Sequence, residues 1–141
     1  MTKEPLRFHF DICGENFTSA GEASVSIKRI LRQIGISPDI IRRVSIAMYE
    51  CEINMVIHAN GGTADVDVYT DKIILTLKDE GPGIPDLELA MQEGYSTAPD
   101  SIRSLGFGAG MGLPNMKKYT DVMDIKTEVG KGTTVTMTVF L

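Results

Sequence analysis

Three polar residues within residues 44–59 stand at the spacing that chemistry on one helix face would require. Glu50, Asn54 and His58 follow one another at intervals of four, which on a helix places them in a stripe about 80° wide, whereas Glu52 points elsewhere. Isoleucines flank the stripe, and a carboxylate among apolar side chains is costly unless it is paired. We therefore expect a polar partner for Glu50. An ordinary exposed pair of Glu50 and Asn54 is the alternative, and it fits this helix equally well.

A carboxylate also stands at the end of a predicted buried strand. Apolar residues alternate over 73–77, and the next residue on their face is Asp79. Gly81, Gly83 and Ile84 follow, and glycines allow a planar ligand to approach the backbone closely. A carboxylate accepts hydrogen bonds from exocyclic amines such as that of adenine. The alternative is a simple Asp-Glu-Gly-Pro turn.

A glycine-rich segment, GFGAGMGL at residues 106–113, precedes a further predicted helix. Alternate glycines before a helix present free N–H groups and the positive end of the helix dipole, which favours phosphate binding. The segment is not a P-loop, because no Gly-Lys-Ser/Thr follows. It also lacks the dinucleotide fingerprint, since Leu113 occupies the third glycine position and no strand precedes it. A flexible lid hinge is the alternative.

Hydrophobic periodicity indicates the elements that must position these residues. Strands are predicted at 7–12, 63–69, 72–79, 122–127 and 133–140, and helices at 19–34, from Ser37-Pro38 to Ala59, near 86–93 and at 112–119. We expect one domain over residues 1–141. Its predicted class is α+β, a two-layer sandwich with helices on one face of a mixed, mostly antiparallel sheet of about five strands.

Composition excludes several classes of function. The 141 residues are 43% hydrophobic and 23% charged, which is typical of a globular domain and not of a disordered chain or a coiled coil. The net charge of −5 argues against nucleic acid as a partner. No apolar run is long enough for a membrane span, and Cys13 and Cys51 have no metal-binding spacing, so we expect a reduced, cytoplasmic protein without a membrane partner. His9 is expected at the surface.

Four motifs stand in order along nearly the whole chain. They are E-x3-N-x3-H-A from Glu50, D-x-G-x-G-I from Asp79, G-x-G-x-G-L from Gly108 and G-x-G-T from Gly130. This order resembles the Bergerat-type (GHKL) ATP-binding fold of gyrase, the 90-kilodalton heat-shock chaperones, histidine kinases and MutL. In size the chain is most similar to the small anti-sigma-factor serine/threonine kinases and the related switch kinases of bacterial partner-switching pathways.

The resemblance implies a role for each matching residue. Glu50 matches the general base, Asn54 the Mg²⁺ ligand and Asp79 the acceptor of the adenine amine. The other implied ATP-binding residues are His58 facing the phosphates, Gly81, Gly83 and Ile84 as the adenine platform, Gly108, Gly110, Met111, Gly112 and Leu113 at the edge of the phosphate-binding lid, and Thr133 supporting adenine.

The chain departs from the family pattern at two places, each with consequences for pocket shape. Met55 stands where relatives commonly have Ala, and His58-Ala59-Asn60 lacks the aromatic residue often found there. Histidine kinases usually carry a non-acid at the position of Glu50 and need a phosphoaccepting helical hairpin, so self-phosphorylation on histidine is not expected.

The resemblance thus implies an ATP- and Mg²⁺-dependent serine/threonine protein kinase. Its phosphoacceptor would be a protein similar to an anti-sigma-factor antagonist, and a sigma factor or another regulator is a further implied partner. Many members are dimers, and the sequence leaves a homodimer open. The alternative is a nucleotide-gated adaptor that sequesters a regulator without turning over ATP.

Overall fold

The computed structural model describes residues 4–14, 21–59, 61–84, 89, 91–92 and 112–141. In chain order its elements are β1 (Leu6–Cys13), α1 (Glu22–Gln33), α2 (Pro38–Ala59), β2 (Gly61–Val68), β3 (Lys72–Asp79), α3 (Gly112–Tyr119), β4 (Val122–Glu128) and β5 (Gly132–Phe140). The five predicted strands and three of the predicted helices are confirmed. The start expected for α1 at residue 19 and most of the helix expected near 86–93 lie outside the described residues.

The five strands form one sheet in the order β1-β2-β3-β5-β4, and every neighbouring pair is antiparallel. The expected antiparallel character is confirmed, and no parallel pair occurs among the described strands. The Tyr69 N–H donates to the Lys72 carbonyl at 2.8 Å, which closes a hairpin turn at Thr70-Asp71 between the strands predicted at 63–69 and 72–79. The Lys131 N–H donates to the Glu128 carbonyl at 3.0 Å in the turn between β4 and β5.

The core lies between one face of this sheet and the helices, since alternate strand residues point to the same face. The fully buried side chains of β2, β3 and β5 lie on that face: Ala64, Val66, Ile73, Leu75, Leu77, Met137 and Val139. Ile27 and Leu31 of α1 and Met48 of α2 belong to this core at 0% exposure. Nine of the 22 residues of α2 are buried, as expected for a central helix. No helix in the described ranges is long and apolar enough to cross a membrane.

A buried carboxylate joins α1 to α2. Glu52 is 2% exposed. Its Oε2 accepts the N–H groups of Gly21 at 2.8 Å and Ala23 at 3.2 Å, and its Oε1 accepts that of Ser24 at 3.2 Å. The first N–H groups of a helix lack intrahelical acceptors and carry the positive end of the dipole, so a carboxylate is well suited to this place. Glu52 therefore holds the start of α1 against α2.

Candidate functional site

Asp79 lies at the end of β3, where the sheet register places it beside Thr133 of β5. Its Oδ1 accepts the N–H of Gly81 at 2.9 Å and the N–H of Thr133 at 3.2 Å. No described residue donates to Oδ2. One carboxylate oxygen is thus fixed by the backbone, while the other can accept a hydrogen bond from a ligand amine.

Two glycine positions in the segment that follows Asp79 have no space for a side chain. A Cβ at Gly81 would lie 2.5 Å from the Ala59 Cβ of α2. Gly83 has φ +78°, and a Cβ there would lie 2.5 Å from the Glu128 carbonyl oxygen. Glycine is therefore required at both positions, as a close approach of the backbone demands.

Two threonine hydroxyls connect this glycine segment to the sheet. The Thr127 and Thr133 Oγ1 atoms are 2.9 Å apart, and Thr127 Oγ1 accepts the Ile84 N–H at 2.8 Å. Thr133 was predicted as a site residue and Thr127 was not. Strand alternation could have found Thr127, because it follows Met123 and Ile125 on the same face of β4.

Helix α3 brings polar contacts to the predicted stripe on α2. The Asn115 Nδ2 donates to Glu50 Oε1 at 3.4 Å. A Cβ at Gly112 would lie 2.8 Å from Asn54 Nδ2, so the first residue of α3 packs directly on the Asn54 amide. Glu50 and Asn54 are both partly buried, which makes the exposed-pair alternative wrong. The expected polar partner of Glu50 is Asn115.

The other end of α3 is held by an arginine from α2. Arg43 Nε donates to the Tyr119 carbonyl at 3.2 Å, and Arg43 Nη2 lies 3.1 Å from Asp121 Oδ1. Asp121 Oδ2 accepts the Phe140 N–H at 2.8 Å. The Phe140 N–H and, to a smaller degree, Arg43 hold the pKa of Asp121 below its ordinary value. The start of β4, the end of β5 and α3 are therefore joined to α2 at one point.

The titration of His58 and Cys51 limits what these groups can do. His58 is an exposed residue at the end of α2. Desolvation lowers the pKa of its ring, and the Asp79 carboxylate partly opposes this shift. Cys51 is 3% exposed. Burial raises the pKa of its thiol, and the charges of Asp79 and Glu52 raise it further. Cys51 therefore stays protonated and is unsuited to act as a nucleophile.

The surroundings of Asn54 suit a magnesium ion only together with a phosphate ligand. No group of three or more acidic, histidine or cysteine ligands forms among the described residues. Mg²⁺, however, is commonly held by one or two protein oxygens, substrate phosphates and water. The Asn54 side-chain amide lies against Gly112, the first residue of α3. These residues fit a metal that arrives with a nucleotide.

The structure describes only some of the remaining residues that the sequence singled out. Leu113 packs on the core from the first turn of α3. Gly108, Gly110 and Met111 lie outside the described residues. Met55, one of the two departures from the family pattern, is 3% exposed. A Cβ at Gly62 would lie 2.6 Å from the Met55 Cε, so Met55 packs against β2 in the core.

Comparison with known proteins gives one consistent family. The model for the histidine kinase-like ATPase domain matches residues 16–139. The chain is 33% identical over 119 residues to the anti-sigma F factor of Geobacillus stearothermophilus, a match that covers 80% of this chain and 78% of the relative. It is 26% identical over 112 residues to the serine/threonine-protein kinase RsbT of Bacillus subtilis (strain 168), covering 77% of this chain and 78% of RsbT.

Solved structures agree on the fold. The crystal structure of the RsbU and RsbW domains of Rv1364c from Mycobacterium tuberculosis matches with a TM-score of 0.64 at 16% sequence identity. The match covers 95% of this chain and 32% of that one. A likeness at this identity concerns the fold alone.

Proposed function

Because the chain belongs to the family of histidine kinase-like ATPase domains, we propose that it is an ATP-dependent serine/threonine protein kinase. Its phosphoacceptor is a serine or threonine of a protein similar to an anti-sigma-factor antagonist, in a bacterial partner-switching pathway, and residues 1–141 act as one cytoplasmic domain. The observation that carries the proposal is the arrangement on α2. Glu50 and Asn54 face α3, the helix that follows the glycine-rich segment. The relatives named as an anti-sigma F factor and as a serine/threonine kinase support it.

The nucleotide would lie between Asp79 and the start of α3. Asp79 Oδ2 accepts the adenine amine, while its Oδ1 stays bound to the Gly81 and Thr133 N–H groups. The N-terminus of α3 at Gly112 offers N–H groups and the positive end of a dipole to the phosphates. Asn54 would hold Mg²⁺, and the bound metal would neutralise phosphate charge.

Glu50 would act on the attacking hydroxyl. As the hydroxyl oxygen bonds to the γ-phosphorus, the bond from phosphorus to the β,γ-bridging oxygen breaks and ADP leaves. The hydroxyl proton passes to the Glu50 carboxylate. Phosphoryl transfer depends mainly on positioning and charge neutralisation, so a carboxylate held at a defined place is an adequate base.

A second candidate function is a nucleotide-gated adaptor that sequesters a regulator without turning over ATP. The relative named an anti-sigma F factor favours it, because that name describes opposition to a sigma factor. The adaptor function requires the nucleotide pocket around Asp79 but does not require Glu50 as a base. Glu50→Gln therefore separates the two candidates.

The first experiment measures thermal stability with ATP, ADP and GTP, each with and without Mg²⁺. A ligand at about 100 times its dissociation constant adds about 2.7 kcal/mol. We expect a gain that is specific for adenine nucleotides, larger with Mg²⁺ and lost in Asp79→Asn. An absence of any gain with all three nucleotides would contradict both candidates.

The second experiment uses γ-labelled ATP with an antagonist-like protein from the same genome. We expect label on the acceptor, and loss of labelling in Glu50→Gln with ATP binding retained. Glu22→Gln makes the same chemical change at an exposed position of α1 and should leave labelling unchanged. If Glu50→Gln labels the acceptor as well as the unaltered chain does, Glu50 is not the base. Nucleotide-dependent binding of a partner without any labelling would favour the adaptor.

A further inference from the structure

Asn115 is the residue of α3 that meets the proposed base, and none of the sequence motifs includes it. Its Nδ2 lies 3.4 Å from Glu50 Oε1, across 65 residues of chain. We infer that Asn115 is a positioning residue that orients the Glu50 carboxylate for phosphoryl transfer. The inference rests on the proposed kinase function.

The contacts of α3 explain how Asn115 can hold a defined position. Met116, the next residue, is 0% exposed and anchors the helix in the core. Gly112 lies one turn earlier against the Asn54 amide. The Tyr119 carbonyl, one turn later, accepts a hydrogen bond from Arg43 of α2. The backbone of Asn115 therefore lies at a defined place on α3, from which its side-chain amide reaches the Glu50 carboxylate.

An amide is chemically suited to this task. It donates to one carboxylate oxygen, Oε1, and leaves Oε2 to receive the hydroxyl proton. A lysine or arginine at this place would pair with the carboxylate and weaken it as a base, whereas a neutral donor orients it without forming an ion pair. Catalytic hydrogen bonds are commonly long before substrate binds and shorten in the reacting complex, which agrees with the 3.4 Å separation.

The same helix also links the nucleotide to the base. Gly112 begins α3 beside the proposed phosphate site, and Asn115 follows within one turn. A nucleotide that settles on the N-terminus of α3 therefore settles on the helix that orients Glu50. The Asn115 side chain contacts the base, so the loss of that contact should act on the rate of transfer.

The contact itself is tested with the side-chain amide signals of Asn115 in a ¹⁵N–¹H spectrum. Glu50→Ala removes the acceptor and should move these signals. Lys117→Ala, an exposed change on the same helix, should leave them in place. Unmoved Asn115 signals in Glu50→Ala would overturn the inference.

The positioning role is tested with Asn115→Leu, which keeps a similar volume and removes the donor. One hydrogen bond to a charged group corresponds to a loss of turnover of about tenfold or more. We expect this loss in acceptor labelling, with the dissociation constant for ATP within about twofold of normal, because a positioning group acts on the reacting complex. Asn115→Gln, which keeps the donor, should recover part of the rate.

A double-mutant cycle separates positioning from a general structural role. On the residual turnover of Glu50→Ala, measured at high enzyme concentration, Asn115→Leu should cause no further loss, since the group it orients is absent. Equal losses in both backgrounds, or a loss that follows a weakened ATP affinity, would overturn the inference. If the unaltered chain labels no acceptor and hydrolyses no ATP, the kinase proposal fails and the positioning role fails with it. Normal turnover in Asn115→Leu overturns the Asn115 inference alone.

Discussion

Replacing Glu52 by alanine should destabilise the fold more than the loss of a surface charge would. The carboxylate is 2% exposed and accepts three backbone N–H groups at the start of α1. In Glu52→Ala those donors lose their acceptor, at about 1–1.5 kcal/mol each, so we expect a loss of about 3–5 kcal/mol in the free energy of unfolding. Glu52→Gln keeps one acceptor oxygen and should lose about 1–2 kcal/mol.

The assay is urea unfolding followed by far-UV circular dichroism, because the chain has no tryptophan. For a chain of this size the loss in Glu52→Ala corresponds to a fall in Tm of about 10–15 °C. Glu22→Ala, at the exposed first turn of α1, is the matched control and should cost less than about 1 kcal/mol. Amide exchange at Ala23 and Ser24 should accelerate in the Glu52 variants. A loss below about 1 kcal/mol in Glu52→Ala would refute the reasoning.

Two further predictions concern the glycine that begins α3 and the histidine on β1. Gly112→Ala places a Cβ 2.8 Å from Asn54 Nδ2, so calorimetric titration should show ATP·Mg²⁺ affinity at least about tenfold weaker; unchanged affinity would mean that Asn54 moves aside without cost. The pKa of His9 is raised, chiefly by its hydrogen bond to Asp65 at 2.6 Å. A raised histidine pKa contributes stability that is fully present below about pH 6.5 and is lost as the pH rises through the folded value. Urea midpoints should therefore fall more between pH 6 and 8 in the unaltered chain than in His9→Asn, and parallel pH profiles would contradict this account.

Much of the secondary structure is encoded locally. Period-two alternation identified the strands, and Gly35, with φ +86°, ends the first helix where the sequence predicted a stop. The hairpin at Thr70-Asp71 and the long helix after Ser37-Pro38 follow from turn and capping chemistry in the same way. These features need only neighbouring residues, so they can be predicted without the fold.

The order of the strands in the sheet, unlike the strands themselves, is not encoded locally. The order β1-β2-β3-β5-β4 places β5 between β3 and β4. No local sequence pattern predicts which strands pair with each other. The sequence accordingly left room for a parallel pair in the sheet, whereas all the described pairs are antiparallel. Asp79 of β3 and Thr133 of β5 pair across 54 residues of chain, so their pairing is a property of the whole chain and not of neighbouring residues.

By itself the sequence determined the residues of one helix face and of the glycine segments, because helical period and glycine chemistry operate over a few positions. Helical period placed Glu50 and Asn54 on one face of α2, and strand alternation placed Asp79 at the end of the apolar face of β3. Only the tertiary structure decided what meets them. Asn115 reaches Glu50 across 65 residues, and Glu52, which the same helical period had set aside, holds the start of α1. Contacts between distant segments form only when the core brings their elements together, and no spacing within either segment encodes them.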